Sequence, residues 1–171
     1  MKCAGQAFSD TVDLATRLVV VVVGRKSILV VDDDRTILTS LAELLRLEGY
    51  DVDVAETGSE AMKKADARYY NLALLDIKLP DMDGTELLDK MRETVPKMVK
   101  IMVTGYPELG NAVKSLNMGA NAYLLKPVDP KTLLEMVQKK LQDQDEAERM
   151  SQEKVKEWIE TRVRKLKHGE G

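Results

Sequence analysis

The sequence predicts an α/β fold, a doubly wound five-stranded parallel sheet with helices on both faces. Three observations predict it. Between residues 27 and 142, five short apolar runs alternate with five stretches of helical spacing. Most of those runs are continuously apolar, as strands buried on both faces must be. Four of them close on polar or charged groups, at Asp32-Asp33, Asp76, Thr104 and Lys126. Right-handed crossovers bring all strand carboxyl ends to one edge, where open α/β sheets hold their ligands.

The elements follow in order. Ile28 to Val31 is a β-branched strand ending in Asp32-Asp33-Asp34. Ile37, Leu38, Leu41, Leu44 and Leu45 then recur at helical spacing, with Asp34 as N-cap and Gly49 as the stop. Asp51 to Ala55 alternates as a short strand. Gly58 to Arg68 is a helix with Ala61, Met62 and Ala65 inward. Asn71 to Asp76 is a strand ending abruptly in a carboxylate. Gly84 to Thr94 is a helix with Leu87, Leu88 and Met91 on one side. Val99 to Val103 is the fourth strand, closing on Thr104-Gly105. Leu109, Ala112, Val113 and Leu116 mark the fourth helix, ended by Gly119. Ala122 to Leu125 is the fifth strand. The last helix starts at Pro130, with Leu133, Leu134, Val137 and Leu141 inward.

Composition is that of an ordinary soluble chain. Of 171 residues, 32% are charged and 44% hydrophobic. The net charge of −3 gives no global basic field toward nucleic acid. Cys3 is the only cysteine, so no internal disulfide forms and a cytoplasmic setting fits. No apolar run approaches the ~20 residues of a transmembrane helix. Leu18 to Val23 is the longest, and the acidic and basic residues before it make a poor signal peptide. Residues 1–26 read as an unpacked leader or an artefact of where translation was assumed to begin. The sharper alternative is an extra edge strand or an interaction segment.

The strand ends define a chemistry. Three carboxylates crowd together only with a counter-charge. A divalent hard cation supplies one, and Mg²⁺ commonly takes one or two carboxylates, waters and a phosphate oxygen. Lys126 adds a fixed positive charge and Thr104 a hydroxyl. This set suits a phosphoryl group placed on a carboxylate, where catalysis is mostly positioning and charge neutralisation.

Four motifs carry a family resemblance: Ile28-Leu29-Val30-Val31-Asp32-Asp33-Asp34, Leu74-Leu75-Asp76-Ile77-Lys78-Leu79-Pro80-Asp81-Met82-Asp83-Gly84, Met102-Val103-Thr104-Gly105 and Tyr123-Leu124-Leu125-Lys126-Pro127. In order and spacing, residues 27–142 resemble the receiver domain of two-component response regulators, of the stand-alone, chemotaxis-regulator-like kind. The resemblance implies a flavodoxin-like (βα)5 fold. It implies Asp76 as phospho-acceptor, fed by a histidine kinase or phosphotransfer protein. It implies Mg²⁺ held by Asp33, Asp76 and the backbone carbonyl of Lys78, with Asp32 beside them, in some cases through water. Thr104 and Lys126 would bind phosphoryl oxygens, Tyr123 would be the switch aromatic, and the Lys126-Pro127 bond would be cis. Lys78 and Tyr106 occupy positions that tune loss of the phosphoryl group. The fourth helix, fifth strand and fifth helix would form the readout face.

Two other readings share some of these residues. Haloacid dehalogenase-like phosphohydrolases use an Asp-x-Asp-x-Thr motif, and Asp32 to Thr36 and Asp81 to Thr85 match its letters. That family needs a further acidic pair after the lysine, and only Asp129 follows closely. It also leaves Asp76 unexplained. A phosphorylation-independent pseudo-receiver scaffold is the other rival, and the complete polar set argues against it. Asp34 reads as a cap, and Asp81 and Asp83 as loop residues.

Residues 143–171 form a charged helical extension, too short for a DNA-binding domain with its own core. Val155, Trp158, Ile159, Arg162, Val163 and Leu166 recur at helical spacing, ahead of a cluster of cations. One reading is a solvated continuation of the last helix. The preferred one is docking, through Val155, Trp158, Ile159 and Val163, onto an output partner or a second copy as a homodimer.

Overall fold

The computed structural model describes residues 24–105 and 114–167, with side chains through residue 164. Five strands, β1 (Ser27–Val31), β2 (Asp51–Ala55), β3 (Leu72–Leu75), β4 (Val99–Thr104) and β5 (Ala122–Leu125), form one sheet in the order β2-β1-β3-β4-β5. Every pairing is parallel. The helices are α1 (Arg35–Leu47), α2 (Gly58–Ala67), α3 (Gly84–Thr94) and α4 (Pro130–Lys167). A further helical turn precedes Gly119.

Side-chain alternation in the strands builds a core on each face of the sheet. Ile28, Val30, Leu72, Leu74, Ile101 and Val103 face α1 and α4, meeting Leu38, Ala42, Leu45, Leu133, Val137 and Leu141. Leu29, Val31, Ala73, Leu75 and Met102 face α2 and α3, meeting Ala61, Ala65, Leu87, Leu88 and Met91. Strands covered on both sides read as apolar runs, unbroken in β1 from Ile28 and in β3, and interrupted in β4 by Lys100.

Among the described residues, the expected strands and the first, second, third and last helices stand where the spacing placed them, with small shifts at the ends. α2 stops at Ala67 with Arg68 as its cap. β3 is confined to Leu72–Leu75, and β4 runs through Thr104. Gly49 and Gly119 take positive φ, 90° and 99°, as helix stops do. Leu116, counted on the apolar side of the fourth helix, is instead half-exposed, and Ser115 beside it is buried. Leu109, Ala112 and Val113, like Tyr106 and residues 1–23 of the leader, lie outside the described residues.

α4 runs 38 residues without a break, about 57 Å at 1.5 Å per residue. It crosses position 142, so the extension continues the last helix of the sheet domain. Its root is pinned under the amino edge of the sheet. Gln144 donates to the carbonyls of Lys97 (2.8 Å) and Asn71 (3.1 Å), and Lys26 pairs with Asp145. Among the described residues, no helix is long and apolar enough to cross a membrane.

Candidate functional site

The sheet delivers the predicted polar residues to one edge. The Asp32 N–H donates to the Ala55 carbonyl at 3.1 Å, Asp76 N–H to Val31 O at 2.9 Å, and Lys126 N–H to Thr104 O at 2.8 Å. Each residue is therefore the first one past a strand, still held by its neighbouring strand. Their side chains meet although Asp32 and Lys126 are 94 positions apart in sequence.

The Lys126 ammonium is the hub. Its Nζ donates to Asp32 Oδ2 at 2.5 Å and to Asp76 Oδ2 at 2.9 Å. Carboxylate oxygens of Asp32, Asp33 and Asp76 lie within 4.8 Å of one another. Asp32 and Asp76 are buried, and Asp33 is exposed. Burial pushes the Asp32 carboxyl above its ordinary value, against its bonds to Lys126 and to the Asp34 N–H. Burial also pulls on Lys126, but its bonds to Asp32 and Asp76 outweigh that and hold the ammonium above the ordinary lysine value. Asp76 Oδ1 accepts from the Ile77 N–H at 2.7 Å, which fixes the carboxylate's orientation. Its remaining oxygen turns toward Lys126.

Thr104 is fully buried at the end of β4, beside Lys126 through the backbone bond between them. Tyr123 registers opposite Met102 and packs, partly buried, against the α2–α3 core. Lys78 is exposed, and its backbone pairs with that of Asp83 in an isolated antiparallel β-bridge across the loop. The Lys126-Pro127 bond is cis, as the resemblance implied. Tyr106 lies outside the described residues. Val155, Trp158, Ile159 and Val163 are not at this edge but exposed on the far end of α4.

The loop after Asp76 is braced by residues that resembled a hydrolase motif. Asp83 caps α3, accepting from the Thr85 N–H at 2.7 Å. The Asp81 carboxylate accepts from the Ser59 and Gly58 N–H groups at 2.8 and 2.9 Å, at the start of α2. Bonds from Ser59 and Gly58 hold it down at about 2. Asp34 caps α1, and the Ile37 and Thr36 N–H groups lower its pKa. Gly84 is obligatory here, since a Cβ would lie 1.9 Å from Asp76 O and 2.7 Å from Ile77 Cα. Sequence reading named Asp81 a loop residue but missed its reach to α2. The contact spans 22 and 23 positions, with no local signal.

Comparison with known proteins places the chain in a family and a fold. Residues 28–138 match the family model of the response regulator receiver domain. The alkaline phosphatase synthesis transcriptional regulatory protein PhoP of Bacillus subtilis is 40% identical over 106 residues, 62% of this chain and 44% of that protein. The photosynthetic apparatus regulatory protein RegA of Rhodobacter capsulatus is 36% identical over 104 residues, 61% of this chain and 56% of that one. The chain thus spans about half the length of these curated relatives. Among solved structures, a CheY-like response regulator receiver domain protein from Methanospirillum hungatei superposes with a TM-score of 0.71 at 52% identity, covering 72% of this chain and 99% of that one. A BeF3-activated DrrB receiver domain gives 0.65 at 31% identity, covering 70% and 99%.

Proposed function

The chain belongs to the response regulator receiver family, and from that premise we propose that it relays a signal by accepting a phosphoryl group on Asp76. The observation that carries the proposal is the Lys126 ammonium bonded to both Asp32 and Asp76, with Asp33 within 4.8 Å. A lone carboxylate at a strand end could be structural. One held against two others and a fixed cation is arranged for charge to arrive.

The donor set fits Mg²⁺, because it is all hard oxygen and gathers three carboxylates at one point. Asp33, Asp76 and the Lys78 carbonyl would hold the ion, with Asp32 beside them. Bound there, it would neutralise the phosphoryl oxygens. The chain's own groups do the rest. Ile77 N–H holds one oxygen of the acceptor, leaving the other to attack. Lys126 is already placed at the acceptor and takes a phosphoryl oxygen as it arrives. The Thr104 hydroxyl takes another and draws β4 toward the site, and Tyr123 follows inward. The phosphorylated state dominates only to the extent that phosphate binds it more tightly than the resting one.

The donor is a histidine kinase or a phosphotransfer protein, and the setting is cytoplasmic. The chain is not a turnover enzyme and assists only its own phosphorylation and dephosphorylation. Lys78 and Tyr106 set the lifetime of the acyl phosphate, with Tyr106 shielding it from water. Phosphate loss should quicken in Tyr106→Ala, and unchanged or slower decay would overturn that role. Readout falls to the face formed by the helix before β5, β5 itself and α4. Residues 143–171 are a docking extension, through Val155, Trp158, Ile159 and Val163, for an output partner or a second copy.

The decisive experiment is intact mass after treatment with a small phosphodonor and Mg²⁺. Wild type should gain one phosphate and Asp76→Asn none, with the gain suppressed by a chelator. An equal gain in both, or continuous turnover of the donor as a hydrolase would give, would defeat the reading.

A further inference from the structure

The face of α4 that covers the sheet does not end where the sheet ends. Leu133, Val137 and Leu141 are buried on it. Eighteen residues make five whole helical turns, so Val155 and Ile159 repeat the positions of Val137 and Leu141 on the same side. With Trp158 and Val163 they are 56%, 48%, 64% and 43% exposed. Single exposed apolar residues are ordinary, but a clustered stripe with the chain's only Trp marks a contact surface.

Between the covered and the bare parts of the helix lies a hollow of about 400 Å³. Val99, Ala147 and Ser151 line it, together with Lys97, Asp143 and Glu148. Such a volume has room for an indole. Trp158 cannot reach the hollow of its own chain. It stands seven residues beyond Ser151, the nearest residue lining it, on the same unbroken helix, about 10 Å along the axis and beyond the length of a Trp side chain.

Charge identifies the visitor. From Gln142 to Glu153 the helix carries five carboxylates against Arg149 alone, a net −4. From Lys154 to Lys167 it carries six cations against Glu157 and Glu160, a net +4. Two such helices laid parallel would oppose like charge along their length. Laid antiparallel, acid meets base.

We propose that two copies of this chain pair through antiparallel extensions, and that Trp158 of each seats in the hollow of the other. The exchange is reciprocal, so the contact closes as a two-fold dimer rather than a filament. Arg162, whose guanidinium lies 5.8 Å from the Trp158 ring centroid, arrives with it at the acidic half of the second copy. The proposal rests on the docking role of the extension and commits it to one occupant.

The test uses the full chain. Sedimentation equilibrium and Trp emission are followed from ~1 to ~200 μM protein. Mass should rise from monomer to dimer with a parallel blue shift, since Trp158 is the only indole. Trp158→Ala, and Ser151→Arg at the hollow, should each weaken dimerisation at least tenfold while leaving phosphate gain on Asp76 unchanged. Association should weaken as salt rises; strengthening would overturn the antiparallel order. Dimers that persist unchanged in Trp158→Ala would overturn the seating but leave the docking role of the extension standing. A monomer at every concentration would overturn the second copy as its occupant.

Discussion

At its carboxyl edge the sheet gathers Asp32, Asp33, Asp76 and Lys126, and at its amino edge Asn71, Asn121 and Gln144. The two edges use polar side chains in opposite ways. Asn71 and Asn121 each stand just before a strand and accept an N–H at the start of a neighbouring one, from Ser27, the first residue of β1, at 2.9 Å and from Lys100, the second of β4, at 2.8 Å. Gln144 closes the carbonyls of Lys97 and Asn71. These amides satisfy backbone groups that would otherwise be orphaned, and they carry no charge to desolvate. At the other edge Asp32 and Asp76 each accept a single N–H, from Asp34 and Ile77 within their own loops, and clamp no second strand. They face each other and Lys126, and burial, with the neighbouring Asp76 carboxylate adding to it, pushes Asp32 up. One edge stabilises the fold, and the other holds charge ready at the fold's expense.

The largest expected effect is the total loss of phosphate gain in Asp76→Asn, without loss of stability. The amide keeps an oxygen for the Ile77 N–H, and removing one of three crowded charges should leave stability unchanged or raise it by up to ~1 kcal/mol. Urea unfolding checks this, and a drop beyond ~1 kcal/mol would break the contrast between the edges. Next is Gly84→Ala, which should cost more than ~3 kcal/mol. Its Cβ would meet the backbone of Asp76 and Ile77, which cannot give way as a flexible side chain can. A mild loss by thermal or urea unfolding would mean that the acceptor loop is looser than its packing indicates.

The carboxyl edge was legible in the sequence and the amino edge was not, and the reason is physical. Asp32, Asp76, Thr104 and Lys126 each interrupt an apolar run, so their places could be read from strand ends alone. Asn71 and Asn121 also precede runs, but asparagine before a strand is ordinary turn chemistry. What distinguishes them is a partner on another strand, 44 and 21 positions away. Lys100 was hidden for the reverse reason. It sits inside the β4 run, and nothing local said that a lysine there would be 2% exposed. The spacing of α4 predicted both halves of the helix correctly, since one periodicity runs through Val137 and Val155. Whether that face meets a sheet or solvent is decided by where the sheet stops.

Among the described residues, Lys100 is the one lysine or arginine buried in the fold, and it lies toward the amino edge. Its Nζ donates to the Val95 carbonyl at 2.6 Å, at the end of α3, and burial lowers its pKa to about 8. The unfolded lysine keeps its proton until ~10.4. Between those values the unfolded state binds more protons, so stability should rise with pH. The slope is bounded at about 1.4 kcal/mol per pH unit. Tyr50, Tyr69 and Tyr70 are all held above their ordinary value, chiefly by burial, and remove stability only beyond pH ~10. Urea unfolding at pH ~8 and ~9.5 should therefore show a gain of about 1–2 kcal/mol, absent in Lys100→Met. A gain that survives in the variant would assign the rise elsewhere.

Gln144→Ala should have the smallest effect, and it separates the two edges most cleanly. The side chain is half-buried and donates to two carbonyls, so its loss should cost about 1 kcal/mol. Phosphate gain on Asp76 should not change, because no bond of Gln144 reaches the carboxyl edge. The local consequence should exceed the global one. Past Leu141 the helix is held to the sheet by Gln144 and by the exposed Lys26–Asp145 pair, and exposed pairs contribute little. With Gln144 gone, the amides of residues 145–167 should exchange with solvent hydrogen faster, while those of β1 and β3 keep their protection. Faster exchange throughout the sheet would mean that the amide clamp supports the whole domain. Unchanged exchange in the extension would mean that helix propensity alone holds its root, and the contrast between a stabilising and a charge-holding edge would then rest on Asn71 and Asn121.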